Sequence, residues 1–340
     1  MQRVMQLADI DYQLPEQLIA QTPIEPRDSA RLLVDQGSGA PRDAVMRDFA
    51  QLLCDGDVLV VNDTKVLPAR LRLVRATGGA VEVLLLESLD AAHRVWEALV
   101  RPGRKMKPGE VLHDVGGAPV LSVQGRGSKG DTFRVEFVVA EVGQLIERLG
   151  EMPLPPYISQ RLGDANRYQT VYARDPKSAA APTAGLHFTP ELLTEVRARG
   201  IPVVSVELVV GLDTFAPITV DNPLEHVIHS ESYHVPVETQ QALSSAKRVV
   251  AIGTTATRAI ESLGATAQAS GRTNLFITRG FSFQHVDVLL TNFHMPRTTL
   301  LLMIDAFVGE RWRRLYAHAV EREYRFLSFG DAMLLDRHHA

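Results

Sequence analysis

Histidine and carboxylate side chains recur in short polar segments that follow apolar runs of this sequence. They are Asp63 in VNDTKVLPARL, His187 in APTAGLHF, Glu231 in LEHVIHSESY, His294 in TNFHMPRTTL and Asp331 in YRFLSFGDAML. Carboxylates and neutral imidazoles exchange protons near neutral pH when a fold positions them. Because open α/β sheets bind ligands at the carboxyl ends of their strands, these side chains are candidates for proton transfer.

Each of these residues also has a structural interpretation. A single histidine is more often a hydrogen-bonded structural residue than a catalyst, and an aspartate beside glycine is often a turn former. His226, His229 and Glu231 together could suggest zinc, whose ligands include imidazole and carboxylate. Their spacing matches no closed ligand set, and the sequence has no helical HExxH pattern, so no metal site is predicted.

A glycine turn at the end of an apolar strand offers a site for an anion or a nucleoside. The VVAIG run ends at Gly253 and continues through Thr254 and Thr255 into the helical pattern TRAIESL. Unpaired amides of a first helical turn bind anions, and glycine allows close backbone approach. The alternative is an ordinary helix start capped by threonine.

A second glycine pattern, GRGSKG from Gly125 to Gly130, matches a dinucleotide-binding fingerprint only as a string of letters. That fingerprint needs a strand before it and a helix after it. The residues that follow, GDTFRVEFVV, are typical of a strand. The context therefore predicts a hairpin turn.

Two patterns of regular structure follow one another along the chain. From Asp57 to about Val139, short runs rich in Val, Leu, Phe and Arg alternate with glycine turns, which indicates an antiparallel sheet or small barrel. After a helix predicted for Glu141 to Leu149, helices alternate with apolar strands such as TNLFIT and DVLLTN. The predicted fold class is α/β (α+β overall). A mostly parallel α/β domain spans 1–60 and 150–340, with an antiparallel β-barrel domain inserted at 61–149.

The composition limits the class of protein. The 340 residues carry a formal net charge of −4, which argues against a protein that coats nucleic acid nonspecifically. Two local basic clusters are candidate RNA contacts or, alternatively, solvated faces. The first cluster is Arg101, Arg104, Lys105 and Lys107, and the second is Arg311, Arg313, Arg314, Arg322 and Arg325.

Cys54 is the only cysteine, which excludes an intramolecular disulfide and a thiolate zinc site. We expect it to be a small buried residue of a protein in a reducing compartment. The sequence has no apolar run long enough to span a membrane, and its first residues lack the apolar core of a secretory signal. A cytoplasmic protein is therefore expected.

Long strings in a fixed order give the chain a resemblance to a known family. It opens with DIDYQLPEQLIAQTPIEPRDSARLLV and continues through GDVLVVNDTKVLPARL, MPLPPYI, YQTVYA, APTAGLHFT, HVIHSESY, AIGTTATRAIES, TNFHMPRTTLL and YRFLSFGDAMLL. Through these strings the chain resembles the S-adenosylmethionine:tRNA ribosyltransferase-isomerases over nearly its whole length. The resemblance implies a monomeric enzyme with an α/β domain and an inserted β-barrel.

The resemblance also implies a reaction. The family joins the ribosyl group of S-adenosylmethionine, rather than its methyl group, to 7-aminomethyl-7-deazaguanine at the tRNA wobble position. Epoxyqueuosine forms while adenine and methionine leave, and S-adenosylmethionine is consumed as the ribosyl donor with no separate cofactor. The implied partners are S-adenosylmethionine and the tRNA anticodon loop, and no membrane is involved.

The family chemistry suggests roles for the candidate residues. The reaction needs a base near the ribose C5′, an acid near adenine and an acceptor for the amine proton, and we assign these tasks to the histidines and carboxylates named above. The substrate-binding candidates are Lys65, Arg70, Thr183, Gly185, Gly253, Thr254, Thr255 and Arg258. The RNA-binding candidates are Arg101, Arg104, Lys105 and Lys107. Core packing is the favoured role for each of four aromatic residues, and stacking on a splayed base is the alternative: Tyr168, Tyr172, Phe188 and Phe293.

One segment departs from the family pattern. Where the family is expected to read roughly TLHVGLGTF, this chain has ELVVGLDTF, so Glu207, Val209 and Asp213 replace Thr, His and Gly. If that histidine is catalytic, Val209 cannot take its place. A diverged, non-catalytic RNA-binding relative is therefore the alternative function. From the fold pattern alone, a nucleotide-dependent oxidoreductase is a third possibility, against which the missing phosphate-binding fingerprint weighs.

Overall fold

The contacts within the chain divide it into two compact units. The computed structural model describes residues 5–127, 131–160, 162–211, 217–228 and 230–339. The first unit comprises the described parts of 1–65, 155–175 and 181–340, and the second comprises those of 66–154 and 176–180. The second unit is thus inserted in the sequence of the first.

The helices and strands of the described residues are numbered in chain order. The strands are β1 Arg31–Val34, β2 Arg42–Val45, β3 Asp57–Asn62, β4 Lys65–Val66, β5 Arg70–Arg75, β6 Ala80–Ser88, β7 Val95–Arg101, β8 Val111–His113, β9 Pro119–Arg126, β10 Phe133–Phe137, β11 Gly150–Glu151, β12 Pro176–Ser178, β13 Val203–Leu208, β14 Glu231–His234, β15 Arg248–Ile252, β16 Ser270–Thr273, β17 Val288–Asn292 and β18 Ala332–Asp336. The α-helices are α1 Val142–Leu149, α2 Pro190–Ala198, α3 Val237–Ser245, α4 Gly253–Thr266, α5 Thr299–Val308 and α6 Arg311–Glu321. The 3-10 helices are Leu7–Ile10, Glu16–Leu18, Arg27–Ser29, Met46–Leu52, Gly103–Lys105, Ala165–Tyr168, Thr183–His187, Pro223–Glu225 and Arg337–His339.

A nine-stranded mixed sheet forms the first unit, in the order β16-β14-β13-β3-β15-β17-β18-β1-β2. Its centre is parallel, because β13 pairs with β3, β3 with β15 and β15 with β17 in the same direction. The strands of this centre are long apolar runs such as DVLVVN, in which every residue is buried. Such strands require cover on both faces of the sheet. Their carboxyl ends meet at one edge, where ligands bind in open sheets of this kind.

Helices cover both faces of the parallel centre. On one face, Leu59 and Ile252 belong to a core cluster with Phe49 and Phe188, whose rings meet edge to face with centroids 5.5 Å apart. On the other face lies α4, which follows directly on β15 and is buried over its first ten residues, 253–262. Because strand β15 leads straight into α4, the first turn of that helix is fixed at the carboxyl edge of the sheet.

The second unit is built on a closed antiparallel barrel. Its sheet runs β11-β5-β6-β7-β10-β9-β8, and a further pairing between β5 and β8 closes the ring of six strands. Side chains alternate between buried and exposed along strands such as β10, where Phe133, Val135 and Phe137 face the interior. Closure leaves no free strand edge within the ring.

The predicted fold class, an α/β domain with an inserted antiparallel β-barrel, is confirmed. The parallel strands form the centre of the first unit's sheet, and antiparallel strands flank them. The predicted insertion was 61–149, whereas the second unit runs from Val66 to Leu154 and adds the short segment Pro176–Ala180.

The hairpin predicted around GRGSKG is confirmed, because β9 pairs with β10 in antiparallel fashion on either side of it. Gly127 N donates to Thr132 O at 2.9 Å. Gly130 itself lies outside the described residues.

The strand predicted for TNLFIT is wrong. Strand β16 ends at Thr273, whose hydroxyl accepts a hydrogen bond from Leu275 N at 3.1 Å. Leu275 O accepts from Arg258 Nε at 3.3 Å, so a side chain takes the place of a strand partner. The apolar character of this segment serves packing, as Ile277 is buried.

One further expectation is wrong. Cys54 is exposed rather than buried, because it lies in the turn that enters β3, where its amide donates to Asp57 Oδ2 at 2.8 Å. The core packing favoured for the aromatic candidates is confirmed for Tyr168, Phe188 and Phe293, whose rings are fully buried. Among the described residues, none of the helices combines the length and apolar character needed to cross a bilayer.

Candidate active site

A cleft lies at the carboxyl edge of the parallel strands. Its walls come from residues 181–184, from the first turn of α4 at 253–255 and from residues 291–295 after β17. Tyr157 and Ser328 complete one side. The strand ends thus form a cleft. Five of the candidate residues named from the sequence line it: Thr183, Gly253, Thr254, Thr255 and His294.

The first turn of α4 points into this cleft. Gly253 has a φ of +91°, which only glycine adopts without strain, and it allows the chain to turn from β15 into the helix. The residue before the helix is Ile252, which provides no side-chain cap, so the threonine cap considered as an alternative is not formed. First-turn amides without a capping side chain remain available as donors.

The amide of Asn292 ties together three separate segments at the base of the cleft. Its Oδ1 lies 3.0 Å from the Thr183 hydroxyl. Its Nδ2 faces the carbonyl oxygens of Leu327 at 3.1 Å and Asp331 at 3.4 Å, and lies 3.2 Å from His187 Nε2. Because only an NH2 group can face carbonyl oxygens, these contacts fix which way the amide points.

His187 lies behind this amide, at the end of the 3-10 helix Thr183–His187, and is buried. Burial, with smaller effects from Arg325 and Arg27, lowers the pKa of His187 to about 4. The ring is therefore neutral at pH 7, and its Nε2 accepts from Asn292 Nδ2. His187 thus contacts the cleft through Asn292 rather than directly.

His294 lines the cleft itself. Its Nε2 lies 2.8 Å from the Thr291 hydroxyl, and its backbone is held on both sides by tyrosines. Its amide donates to Tyr316 Oη at 3.0 Å, and its carbonyl accepts from Tyr12 Oη. Burial lowers the pKa of His294 to about 3, so this imidazole is neutral at pH 7.

Glu231 and Arg258 form a buried ion pair beside the cleft rather than in it. The other carboxylate oxygen of Glu231 accepts from Gly211 N at 3.1 Å. Gly211 follows Val210, which lines the cleft. The pair therefore fixes the cleft wall after β13, and both Glu231 oxygens are already occupied.

Asp331 and Asp63 also lie outside the cleft lining. The Asp331 carboxylate accepts from Arg31 N at 2.8 Å, Arg31 Nε at 3.2 Å and Arg325 N at 2.7 Å. Asp63 is buried and lies 3.4 Å from the exposed Arg174 guanidinium. Burial raises the pKa of Asp63, although a hydrogen bond to Ser205 and the charge of Arg174 oppose this shift.

The remaining substrate-binding candidates are dispersed. Gly185 does not line the cleft. A Cβ at this position would lie 2.0 Å from Tyr172 Oη, so glycine is needed there for packing. Lys65 is exposed. Arg70 belongs to the barrel unit, where it pairs with Glu82 at 3.6 Å.

The first basic cluster occupies the connection between β7 and β8 of the barrel unit, and its four cations, Arg101, Arg104, Lys105 and Lys107, are exposed. The second cluster is largely structural. Arg311 pairs with Asp35 at 2.9 Å, and Arg314 Nη1 donates to Ser38 O at 3.0 Å.

Sequence reasoning assigned no role to several residues that shape the cleft. Tyr157 and Ser328 join through their hydroxyls at 2.7 Å, and Asn292 organises the base. The string TNFH directly after an apolar strand is the signal that could have identified Asn292. The described residues contain no grouping of three or more His, Cys, Asp or Glu side chains arranged to hold a metal ion.

The described part of the segment that departs from the expected family pattern, ELVVGLDTF, lies beside the cleft. Val209 immediately precedes the lining residue Val210, and its amide donates to Ser232 O at 2.9 Å. Asp213, like His229 of the polar motif before β14, lies outside the described residues.

Two buried neutral histidines make the folded state sensitive to acid. Above pH 6.5, the ordinary histidine pKa, these rings are neutral in both the folded and the unfolded chain. Below pH 6.5 the unfolded chain takes up protons on these rings, whereas the folded chain does not until the pH reaches the lowered pKa values of His187 and His294. Between about pH 7 and about pH 5.5, each histidine should therefore remove about 1 kcal/mol from the free energy of unfolding. Urea unfolding at both pH values should show a decrease that His294→Asn diminishes and the exposed-site control His234→Asn does not. An unchanged decrease in His294→Asn would contradict the neutral, buried state.

Comparison with known proteins shows which family the chain belongs to. A family model described as queuosine biosynthesis protein matches residues 7–335. The S-adenosylmethionine:tRNA ribosyltransferase-isomerase of Symbiobacterium thermophilum is 48% identical over 345 residues, covering 97% of this chain and 100% of the relative. That of Carboxydothermus hydrogenoformans is 46% identical over 340 residues, with 97% and 100% covered.

A solved structure agrees with these relatives. The crystal structure of S-adenosylmethionine tRNA ribosyltransferase from Thermotoga maritima is 36% identical and covers 96% of this chain and 99% of its own, with a TM-score of 0.54. The resemblance drawn from the sequence strings is thereby confirmed. The chain belongs to the family of queuosine biosynthesis proteins.

Proposed function

We propose that this chain is an S-adenosylmethionine:tRNA ribosyltransferase-isomerase. It transfers and isomerises the ribosyl group of S-adenosylmethionine onto 7-aminomethyl-7-deazaguanine at the wobble position of tRNA. Epoxyqueuosine is the product, and adenine and methionine are released. The observation that carries this function is the near full-length similarity to enzymes of that name, joined to a cleft that holds a neutral imidazole beside an uncapped helix start.

The chemistry begins with a proton removed from carbon. The sulfonium of S-adenosylmethionine acidifies the neighbouring ribose C5′ protons, and a neutral base that takes one leaves the electron pair on carbon as an ylide. His294 is the histidine that lines the cleft, so it is our candidate for this proton transfer. Adenine then leaves and must gain a proton, which the imidazolium formed at His294 can supply.

Three of the other four acidic and histidine candidates are assigned supporting roles. Glu231, with Arg258, holds Gly211 beside the cleft, and Asp331 holds the turn whose carbonyl oxygen contacts Asn292. His187 supports Asn292 from behind. These are positioning residues, because none of the three side chains lines the cleft.

Replacement of a family histidine by Val209 does not by itself remove the chemistry. Val209 carries no proton, yet the neutral His294 remains in the cleft. We therefore favour an active enzyme over a diverged RNA-binding relative. The substrate S-adenosylmethionine is consumed and no resident cofactor is required.

The RNA partner is the anticodon loop, where an unpaired wobble base can be splayed out for reaction. The basic connection between β7 and β8 supplies exposed cations that suit an RNA backbone. We further propose that the protein acts as a monomer in the cytoplasm, where its tRNA substrate is found.

The function is tested by incubating the protein with S-adenosylmethionine and an anticodon stem-loop that carries the precursor base. Adenine release and the mass of the RNA are followed together. Adenine together with a ribosyl-derived mass increase supports the proposal. RNA binding without either product would instead establish the diverged binding protein, and a methyl-sized increase would establish a methyltransferase.

Replacing His294 by asparagine should separate chemistry from binding. Asparagine can keep a hydrogen bond to Thr291 but cannot carry a proton at pH 7, so kcat for adenine release should fall by about 10²- to 10⁴-fold. The Kd for S-adenosylmethionine, measured by calorimetry, should change by about threefold or less. His234→Asn, at an exposed position on β14, is the matched control and should keep full activity. A loss smaller than about tenfold in His294→Asn would transfer the role to another base.

Neutralising the basic connection should weaken RNA binding in a salt-dependent way. The slope of log affinity against log salt is negative. The double variant Arg104→Gln with Lys107→Gln should make it shallower by about 0.7 to 0.9 for each phosphate that the variant no longer neutralises. The charge-matched control is Arg134→Gln with Arg148→Gln, at exposed positions of the same unit. Equal slopes for the two double variants, measured by filter binding, would remove the connection from the RNA interface.

A further inference from the structure

One corner of the cleft has a donor side and an acceptor side, which we call the amino-acid corner. It consists of Gly253, Thr254 and Thr255 at the start of α4 and of Thr183 at the start of the facing 3-10 helix. The two helices touch here, since a Cβ built on Gly253 would lie 3.5 Å from Ala184 Cβ.

The donor side is made by the start of α4. This helix has 14 residues, and the residue before it supplies no capping side chain. Its first-turn amides and its dipole therefore favour a negative group. Thr255 adds an independent sign of a missing ligand, because its residue is only 8% exposed and its buried Oγ1 has no hydrogen-bond partner among the described residues. A hydroxyl in this position can donate to an anion.

The acceptor side follows from the orientation of Asn292. Its Nδ2 faces the carbonyl oxygens of Leu327 and Asp331, so its Oδ1 must face the Thr183 hydroxyl. An amide oxygen only accepts, so Thr183 donates its single proton to Asn292. The remaining lone pairs of Thr183 Oγ1 are left for a donor in the cleft.

A carboxylate and an ammonium group attached to one carbon match these two sides. We propose that the amino-acid corner binds the methionyl end of S-adenosylmethionine. Its carboxylate lies at the start of α4 and accepts from the Thr255 hydroxyl, and its ammonium group donates to Thr183 Oγ1. This assignment rests on the proposed function, because it takes S-adenosylmethionine as the ligand.

An RNA phosphate is the other source of a negative group for the start of α4. A phosphodiester has no proton to give, so it leaves the lone pairs of Thr183 unused. The fixed acceptor beside the donors therefore favours the amino acid. It also leaves the ribose and sulfonium to extend along the same cleft that His294 lines.

The test compares three ligands by calorimetry on the full chain: S-adenosylmethionine, its decarboxylated form and its deaminated form. Thr255→Val removes the hydroxyl while keeping the side-chain shape. It should weaken the binding of S-adenosylmethionine by about tenfold and leave the affinity for the decarboxylated form unchanged. Thr183→Val should weaken the two ligands that keep the ammonium group and leave the deaminated form unchanged. The control is Thr257→Val, further along the first turns of α4, where the hydroxyl donates to Gly253 O within the helix. It should bind all three ligands as the unchanged protein does.

Other outcomes would overturn the assignment. If Thr255→Val weakens the binding of all three ligands equally, the carboxylate does not contact this hydroxyl. Unchanged S-adenosylmethionine binding with a lower affinity and salt slope for the stem-loop would make the corner a phosphate site. Failure of the proposed function is seen separately: selective binding without adenine release would keep the corner and reject the reaction, whereas adenine release without ligand discrimination would reject only the corner.

Discussion

The side-chain amide of Asn292 is the contact on which the cleft depends. It joins the end of β17 to the 3-10 helix through Thr183, and to the turn before β18 through the carbonyl oxygens of Leu327 and Asp331. These segments are far apart in sequence, so one buried group fixes their relative positions. Loss of the amide would remove these hydrogen bonds together, and among the described residues Leu327 O would keep only the bond from Gly330 N at 2.9 Å. The cleft wall is therefore set before any ligand binds.

Burial of the same region decides the charge of its histidines. Aromatic rings pack against Phe293, which is next to His294 in the sequence, with Tyr316 and Phe293 centroids 5.5 Å apart and Phe293 and Phe326 centroids 4.8 Å apart. Such packing removes water and makes an imidazolium costly, which is the cause of the low pKa of His294. A neutral ring does not repel the sulfonium cation that the reaction brings to it. Burial thus sets the charge state of this ring in the free protein.

The sequence was informative where local pattern determines structure and silent where distant segments meet. Gly253 and His294 follow apolar strands, so their place at the sheet edge could be predicted. The pairing of Glu231 with Arg258 could not, because it joins β14 to α4 and turns a candidate base into a support. The TNLFIT segment misled because apolar composition does not distinguish a strand from packed irregular chain.

The position of Val209 shows how the histidine expected there from the family pattern can be absent without loss of the cleft. The backbone there is held by the bond from Val209 N to Ser232 O and by the Glu231 contact to Gly211, neither of which uses the side chain at 209. Valine also suits the extended chain that leaves β13. The substitution therefore removes one ionisable group but keeps the wall that Val210 forms. That wall follows β13 and His294 follows β17, so the two come from different strands of the sheet.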